Sequence, residues 1–257
     1  MSCRIALQLY TVRDHMQTAE DIAKTLETVA KIGYKYVEVC GWGVTGVAEM
    51  KKLLDANGLT ACSTHCSFAD MQSDLAQVIA DHETLGCKFP GIGGMPGEYR
   101  SSGEGFATFA KLANEVGEKL AAAGMSFCYH NHSFELAKFD GKTGLDILCE
   151  NSDPRYVHNE LDVYWVQHGG GSPVAYITKL ADRTPLVHFK DMGISPDMKQ
   201  FFAEVGEGNL DWPSIIAACR AHDVQYCIVE QDVCPGDSLD SVKISFDNMK
   251  AMGLSAQ

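Results

Sequence analysis

Eight short apolar runs, each followed by a stretch of helical periodicity, divide this chain from end to end, and no Pro-, Gly- or Ser-rich linker interrupts them. The strand-like runs fall at residues 4–9, 36–40, 60–64, 89–92, 125–131, 157–163, 185–190 and 225–230. Helical patterns occupy 19–32, 44–56, 73–85, 105–123, 144–149, 173–180, 213–222 and 238–252. Strands that alternate with helices build a parallel sheet, because a parallel neighbour is reached only through a crossover. Eight such units in 257 residues, 46% of them hydrophobic, match the strand count and core size of one (β/α)8 TIM barrel, an α/β fold expected to take up residues 1–257 as a single domain. Gly33, Gly58, Gly86 and Gly124 close helical patterns just before a strand, where a left-handed residue is expected. The run FPGIGG at 89–94 carries Pro90 and three glycines, so the fourth strand is expected to be short or bulged. An open, doubly wound sheet is the competing architecture. It would place a glycine-rich phosphate turn after the first strand, and LQLYTVRD has no glycine.

Composition narrows the class further. No apolar stretch approaches the ~18 residues of a membrane span. The first residues carry charge at Arg4, Arg13 and Asp14 in place of an apolar signal core, so a soluble, cytoplasmic protein is expected. The ten cysteines are scattered without a CxxC pair, and several (Cys62, Cys128, Cys227) lie in apolar strands, which predicts reduced, buried thiols and no disulfide. A net charge of −13 leaves no basic field for a phosphate backbone, so neither nucleic acid nor a membrane is an expected partner. Oligomeric state, a homo-oligomer included, is left open.

A barrel places its chemistry at the carboxyl ends of its strands, and here those ends are polar. FCYHNHSFEL presents His130 and His132 two residues apart, on one face of a strand, with Glu135 just beyond. ELDVYW ends its strand on Asp162, with Glu160 and His158 on the same face. PLVHFKDM carries His188 and Lys190, and QYCIVEQD closes on Glu230 with Asp232 two residues on. Taken singly, each has an ordinary explanation: a helix-capping aspartate, a structural histidine, a rim lysine paired with Asp191, an exposed terminal carboxylate. Taken together, His130, Asp162, His188 and Glu230 at four strand ends predict one divalent metal ion, because an inward-facing charge costs several kcal/mol unless it is paired or bound to a cation. The glycine runs at 91–94 and 169–171 match neither a P-loop nor a dinucleotide fingerprint and are read as loop punctuation.

LQLYTVRD, GYKYVEV, YHNHSFE, LDVYWV, HFKDM, VGEGNLDW and IVEQD together resemble the xylose isomerase-like TIM-barrel superfamily of sugar phosphate isomerases and epimerases, over residues 5–252. Inosose dehydratase, hydroxypyruvate isomerase, tagatose epimerase and endonuclease IV belong to the same group. The resemblance implies a metal, commonly manganese, with zinc, iron, cobalt or magnesium as alternatives. Its ligands would be a strand-five glutamate, a strand-six aspartate, a strand-seven histidine and a strand-eight glutamate. The last three fall on Asp162, His188 and Glu230. The first falls on His130, because this chain reads Tyr129-His130-Asn131 where many relatives read Leu-Glu-Asn.

The chemistry so implied is abstraction of a proton beside a carbonyl, with the metal stabilising an enediolate. Glu230 is the first candidate base; His130, Glu135 or His132 would supply a second group in place of the missing glutamate. Lys190 is expected to polarise a substrate oxygen. Glu38 and His65 are expected to touch substrate or orient ligands, Gln8 to bind a sugar hydroxyl, and Trp165 with Trp42 to wall the sugar ring. Glu207 is placed at the pocket mouth. The leading function is a metal-dependent isomerase or epimerase of a small carbohydrate. A dehydratase or keto-glycoside lyase comes next, since elimination needs only one base and one acid. An endonuclease IV-like phosphodiesterase and a non-catalytic sugar-binding barrel are the remaining classes.

Overall fold

The computed structural model describes residues 3–256. Eight parallel strands close into a barrel: β1 (Arg4–Gln8), β2 (Tyr36–Cys40), β3 (Thr60–His65), β4 (Pro90–Ile92), β5 (Phe127–His130), β6 (Val157–Asp162), β7 (Leu186–Phe189) and β8 (Tyr226–Val229). Each pairs with its sequence neighbours, and β8 returns to β1 through Arg4↔Tyr226 to Leu7↔Val229. The fold is the (β/α)8 TIM barrel that the alternation predicts. Outward-facing residues such as Ile5, Leu7, Val37 and Val187 pack under the surrounding helices and make the main core. Inside the barrel, Ala6, Cys62, Cys128, Leu186 and Ile228 form a compact apolar floor. The polar residues lie above that floor, toward the carboxyl ends.

Local chemistry explains where elements begin and end. Gly33, Gly58, Gly86 and Gly124 all have positive φ, as the helix-end reading requires. The helix expected over 73–85 is Leu75–Leu85, and a further short helix, Phe68–Ser73, precedes it; Asp74 separates the two, its carboxylate accepting from the Gln77 N–H at 3.2 Å as the cap of the second. β4 is three residues long, and Gly91 is needed in it: a Cβ there would sit 2.9 Å from the Thr64 carbonyl oxygen and 3.2 Å from that of Cys128. Asp162 starts a further helix, Val163–His168, that the strand-like run through residue 163 obscured.

Two expectations change. Cys3 and Cys227 form a disulfide, with Cα atoms 6.0 Å apart, although scattered cysteines predicted none. Parallel register at the barrel seam sets Ile5 opposite Cys227 and so brings Cys3, just ahead of β1, within reach of it, a pairing that linear spacing does not display. Glu207 does not reach the mouth; its Oε1 accepts from Asn248 Nδ2 at 2.8 Å, which ties it to the helix Ser238–Ala251.

Candidate metal and catalytic site

Register brings the strand-end residues together. β5 and β6 align His130 with Glu160, and β6 and β7 align Asp162 with His188. His130, Asp162, His188 and Glu230 each offer a ligand atom, and these atoms lie within 4.8 Å of one another. The predicted four therefore converge. A second set, His65, His130, Glu160 and His188, meets the same limit and lies against the first.

Glu160 was not among the predicted site residues, although its place two residues before Asp162 on the same strand face was the available signal. A bulge explains how His65 reaches it. Val37 pairs with Ala61 and Glu38 with Ser63, leaving Cys62 as the extra residue and turning Ser63 and His65 inward. Ser63 Oγ then donates to Glu160 Oε1 at 3.3 Å, and His65 Nε2 lies 2.5 Å from Glu160 Oε2.

His188 is gripped on both sides, Nδ1 2.8 Å from Glu230 Oε2 and Nε2 2.7 Å from Glu38 Oε2. Gln8 is fully buried; its Nε2 donates to Glu38 Oε2 at 2.6 Å, and its Oε1 accepts from the Tyr10 N–H at 3.0 Å. The structure thus uses Gln8 and Glu38 to hold the His188 ring. Both groups are enclosed by protein, which leaves Gln8 without the exposed amide a sugar contact needs.

Lys190 is not the solvated rim lysine paired with Asp191. It is 1% exposed, with Nζ 2.8 Å from Glu230 Oε2, 2.8 Å from Asp232 Oδ2 and 3.1 Å from Asp162 Oδ2. Asp191 instead accepts from Trp212 Nε1 at 2.6 Å and from the Gly206 N–H at 2.9 Å, bracing the loop after β7. Asp162 divides its oxygens. Oδ1 accepts from the Trp165 N–H at 2.9 Å and caps the helix Val163–His168, while Oδ2 is buried without a hydrogen bond. Its contact with Lys190 is one of charge rather than of hydrogen-bond alignment.

Burial and these neighbours set the protonation states. Burial, reinforced by His188, holds the His130 imidazole well below its ordinary value, and burial with Lys190 lowers His132 to about 4. Burial opposes ionisation of Glu230 and Glu160 as well, but Lys190 with His188 outweighs it for Glu230, and His188 with His65 outweighs it for Glu160, so both sit well below the usual carboxylate range. His188 is raised well above its ordinary value, burial being overcome by Glu160, Glu38 and Glu230. Burial raises Asp162 to about 6 against the pull of Lys190.

The residues fit a divalent cation. Two carboxylates and two imidazoles suit manganese, iron or zinc, and the buried, unbonded Asp162 Oδ2, 3.8 Å from His130 Nε2, is an atom that such an ion would satisfy. A ligating His188 must give up a ring proton, so binding would release one.

The open face of this set is a cleft of about 360 Å³ lined by His65, His130, His132, Lys190, Glu230 and Asp232, with Tyr10 and Cys40 at its edge. Gly93 and Gly94 let it form: a Cβ on the first would press to 3.0 Å on the His65 ring, and one on the second would meet His132 at 3.4 Å. Trp165 lies against His132 (ring centroids 5.3 Å apart) and Lys190 (5.2 Å from Nζ). A slightly larger cleft, about 410 Å³, adjoins it across His65 and Cys66 and has Trp42 on its wall. Of the residues that could hold a metal, His130 and Glu230 line the smaller one.

Glu135 stands apart from the cleft. Fully buried, it accepts from Tyr129 Oη at 2.6 Å and from the His132 N–H at 2.9 Å, and burial raises it to about 7. A carboxyl raised in the folded state from its ordinary 4.5 binds more protons folded than unfolded between those values, so its contribution to stability falls as pH rises from 4.5 through 7. Glu135→Gln cannot ionise; its amide oxygen can still accept from the His132 N–H, while its NH2 faces Tyr129 Oη as a donor, reversing that bond. Urea unfolding at pH 5 and pH 7.5 should show the variant gaining about 2 kcal/mol relative to wild type across that interval; parallel changes in the two proteins would refute the assignment.

The chain belongs to the xylose isomerase-like TIM barrel family, whose model matches residues 26–251. It is 29% identical over 146 residues to inosose dehydratase from Salmonella typhimurium, a match covering 50% of this chain and 46% of that protein; the match thus spans about half the length of this curated relative. Among solved structures, a sugar phosphate isomerase/epimerase from Parabacteroides distasonis superposes with a TM-score of 0.84 at 22% identity, covering 98% of this chain and 95% of the other. A probable 3-DHS dehydratase from Bacillus anthracis gives 0.73 at 14% identity, covering 96% and 98%. At such identities the structural likenesses establish the fold. No helix among the described residues is long and apolar enough to cross a membrane.

Proposed function

We propose that this protein is a divalent-metal-dependent enzyme that removes the proton beside a carbonyl of a sugar or keto-sugar and then expels the β-substituent, a carbon–oxygen lyase of the dehydratase or keto-glycoside type. One observation carries the reading. The cleft's two carboxylates, Glu230 and Asp232, both come from the end of β8 and are held by Lys190, whereas the β5 side offers the neutral imidazoles His130 and His132. Two-faced epimerisation calls for a carboxylate on each side; elimination needs one base. The similarity to inosose dehydratase supports the same choice.

A divalent ion held by His130, Asp162, His188 and Glu230, manganese being the expected metal, supplies a Lewis acid for the carbonyl oxygen. His188 and Lys190 both engage Glu230 Oε2, so Oε1 is the proton acceptor. As Oε1 takes the α-proton, the C–H electrons form a carbon–carbon double bond and the β-oxygen leaves with its bonding pair. His65, at the cleft wall, returns a proton to that oxygen. Trp165 and His132 pack against the sugar's C–H face, and Gln8 with Glu38 keeps His188 aligned. The same abstraction followed by return of the proton to the adjacent carbon would be isomerisation, which also works with one base.

Product analysis in D2O with a keto-sugar bearing a β-hydroxyl or β-glycosyl group separates these outcomes. Loss of water or of the glycosyl alcohol is expected, in step with one bound metal per chain that His188→Ala and Glu230→Ala abolish. Deuterium in a product of unchanged composition would move the reaction to isomerisation, and neither change in metal-loaded protein would overturn the reading.

A further inference from the structure

The adjoining cleft shares His65 and Cys66 with the reacting cleft, but its other lining residues have no part in the chemistry above. Its floor is rigid. His82 is fully buried with Nε2 2.7 Å from Thr64 Oγ1 and Nδ1 2.7 Å from the Val78 carbonyl oxygen, and the half-buried Trp42 meets it edge-on at 5.9 Å between ring centroids. Much of the remaining lining is polar: Asp70, Asp74, Gln77 and Asp81, with Gln77 Nε2 donating to Asp81 Oδ1 at 2.8 Å. No lysine or arginine lines it. A cleft that combines an indole with several hydrogen-bond acceptors suits a flat ring with C–H bonds on its face and hydroxyls on its edge. The uncompensated carboxylates exclude a phosphate or a carboxylate there. Both clefts lie at the lower end of the ~300–1,000 Å³ range of small-molecule sites, each with room for one ring.

From the joined clefts we infer that the substrate is bipartite: one ring reacts in the His130–Glu230 cleft, and a second, neutral, hydroxylated ring, that of a glycosyl leaving group, lies on Trp42 in the adjoining cleft. This rests on the elimination reading and names the group expelled. His65 stands between the two rings, where the bond between them would be cut.

Calorimetric titration of the metal-loaded, full-length protein with glucose, cellobiose and maltose tests it, since none of these carries the ketone needed for turnover. At least one disaccharide should bind tenfold or more tighter than glucose. Trp42→Ala should bring that ratio close to one, and Trp42→Phe, which keeps an aromatic face, should retain most of it. Neither disaccharide outbinding glucose, or an unchanged ratio in Trp42→Ala, would overturn the inference. Failure of the catalytic reading shows separately, as absence of α-proton exchange with a keto-monosaccharide while the disaccharide preference stands.

Discussion

Glu230→Gln is expected to lower kcat by about 10²–10⁴-fold, the usual worth of a positioned general base. The amide keeps the size and one acceptor oxygen of the carboxylate but cannot take a proton. Its effect should fall on turnover more than on KM, because the substrate ring is held by other parts of the cleft, and α-deuterium exchange measured directly by NMR should disappear with it. The loss cannot be repaired by raising pH. Lys190 and His188 already hold the wild-type carboxyl well below its usual range, so the base is fully formed across the neutral region. A variant within tenfold of wild type would remove Glu230 as the base and leave Asp232, the other carboxylate on the cleft, as the candidate.

Lys190→Met should produce the largest change in stability, and one that metal reverses. The ammonium is 1% exposed and faces Asp162, Glu230 and Asp232, with nitrogen–oxygen distances of 2.8–3.1 Å. Removing one partner of a buried ion pair leaves the others uncompensated at about 3–5 kcal/mol. For a chain of this length that corresponds to a melting temperature lower by roughly 6–20 °C in metal-free protein. A divalent cation answers the same carboxylates, and binding at a hundredfold excess over Kd returns about 2.7 kcal/mol. Manganese should therefore raise the variant's melting temperature more than that of wild type, where the ammonium already offsets part of the charge on Asp162 and Glu230. Equal melting of variant and wild type without metal would show that Lys190 does not balance these charges.

How much of this was legible depended on range along the chain. Strand alternation within ELDVYW or PLVHFKDM is a local property, so Asp162, His188, Glu230 and His130 could be placed at strand ends from sequence, and they converge. Alignment between strands is not local. The partnership of Glu160 with His65 depends on the bulge at Cys62, and the burial of Lys190 depends on three carboxylates from the ends of β6 and β8. The disulfide escaped notice for the same reason, its cysteines being 224 positions apart and adjacent only once the barrel closes. Glu135 shows the converse error. It follows β5 so closely that sequence suggests a site residue, but the 3-10 turn Phe134–Leu136 sends its carboxylate to Tyr129.

Asp162 serves two masters, and that shapes how any genetic test of the site must be interpreted. With Oδ1 on the Trp165 amide and Oδ2 toward His130 and Lys190, an alanine there deletes a helix cap worth ~1 kcal/mol along with a charge. Asparagine can retain the cap while surrendering the charge. The pair of substitutions therefore separates architecture from chemistry at a single codon, and a phenotype shared by both belongs to the chemistry alone.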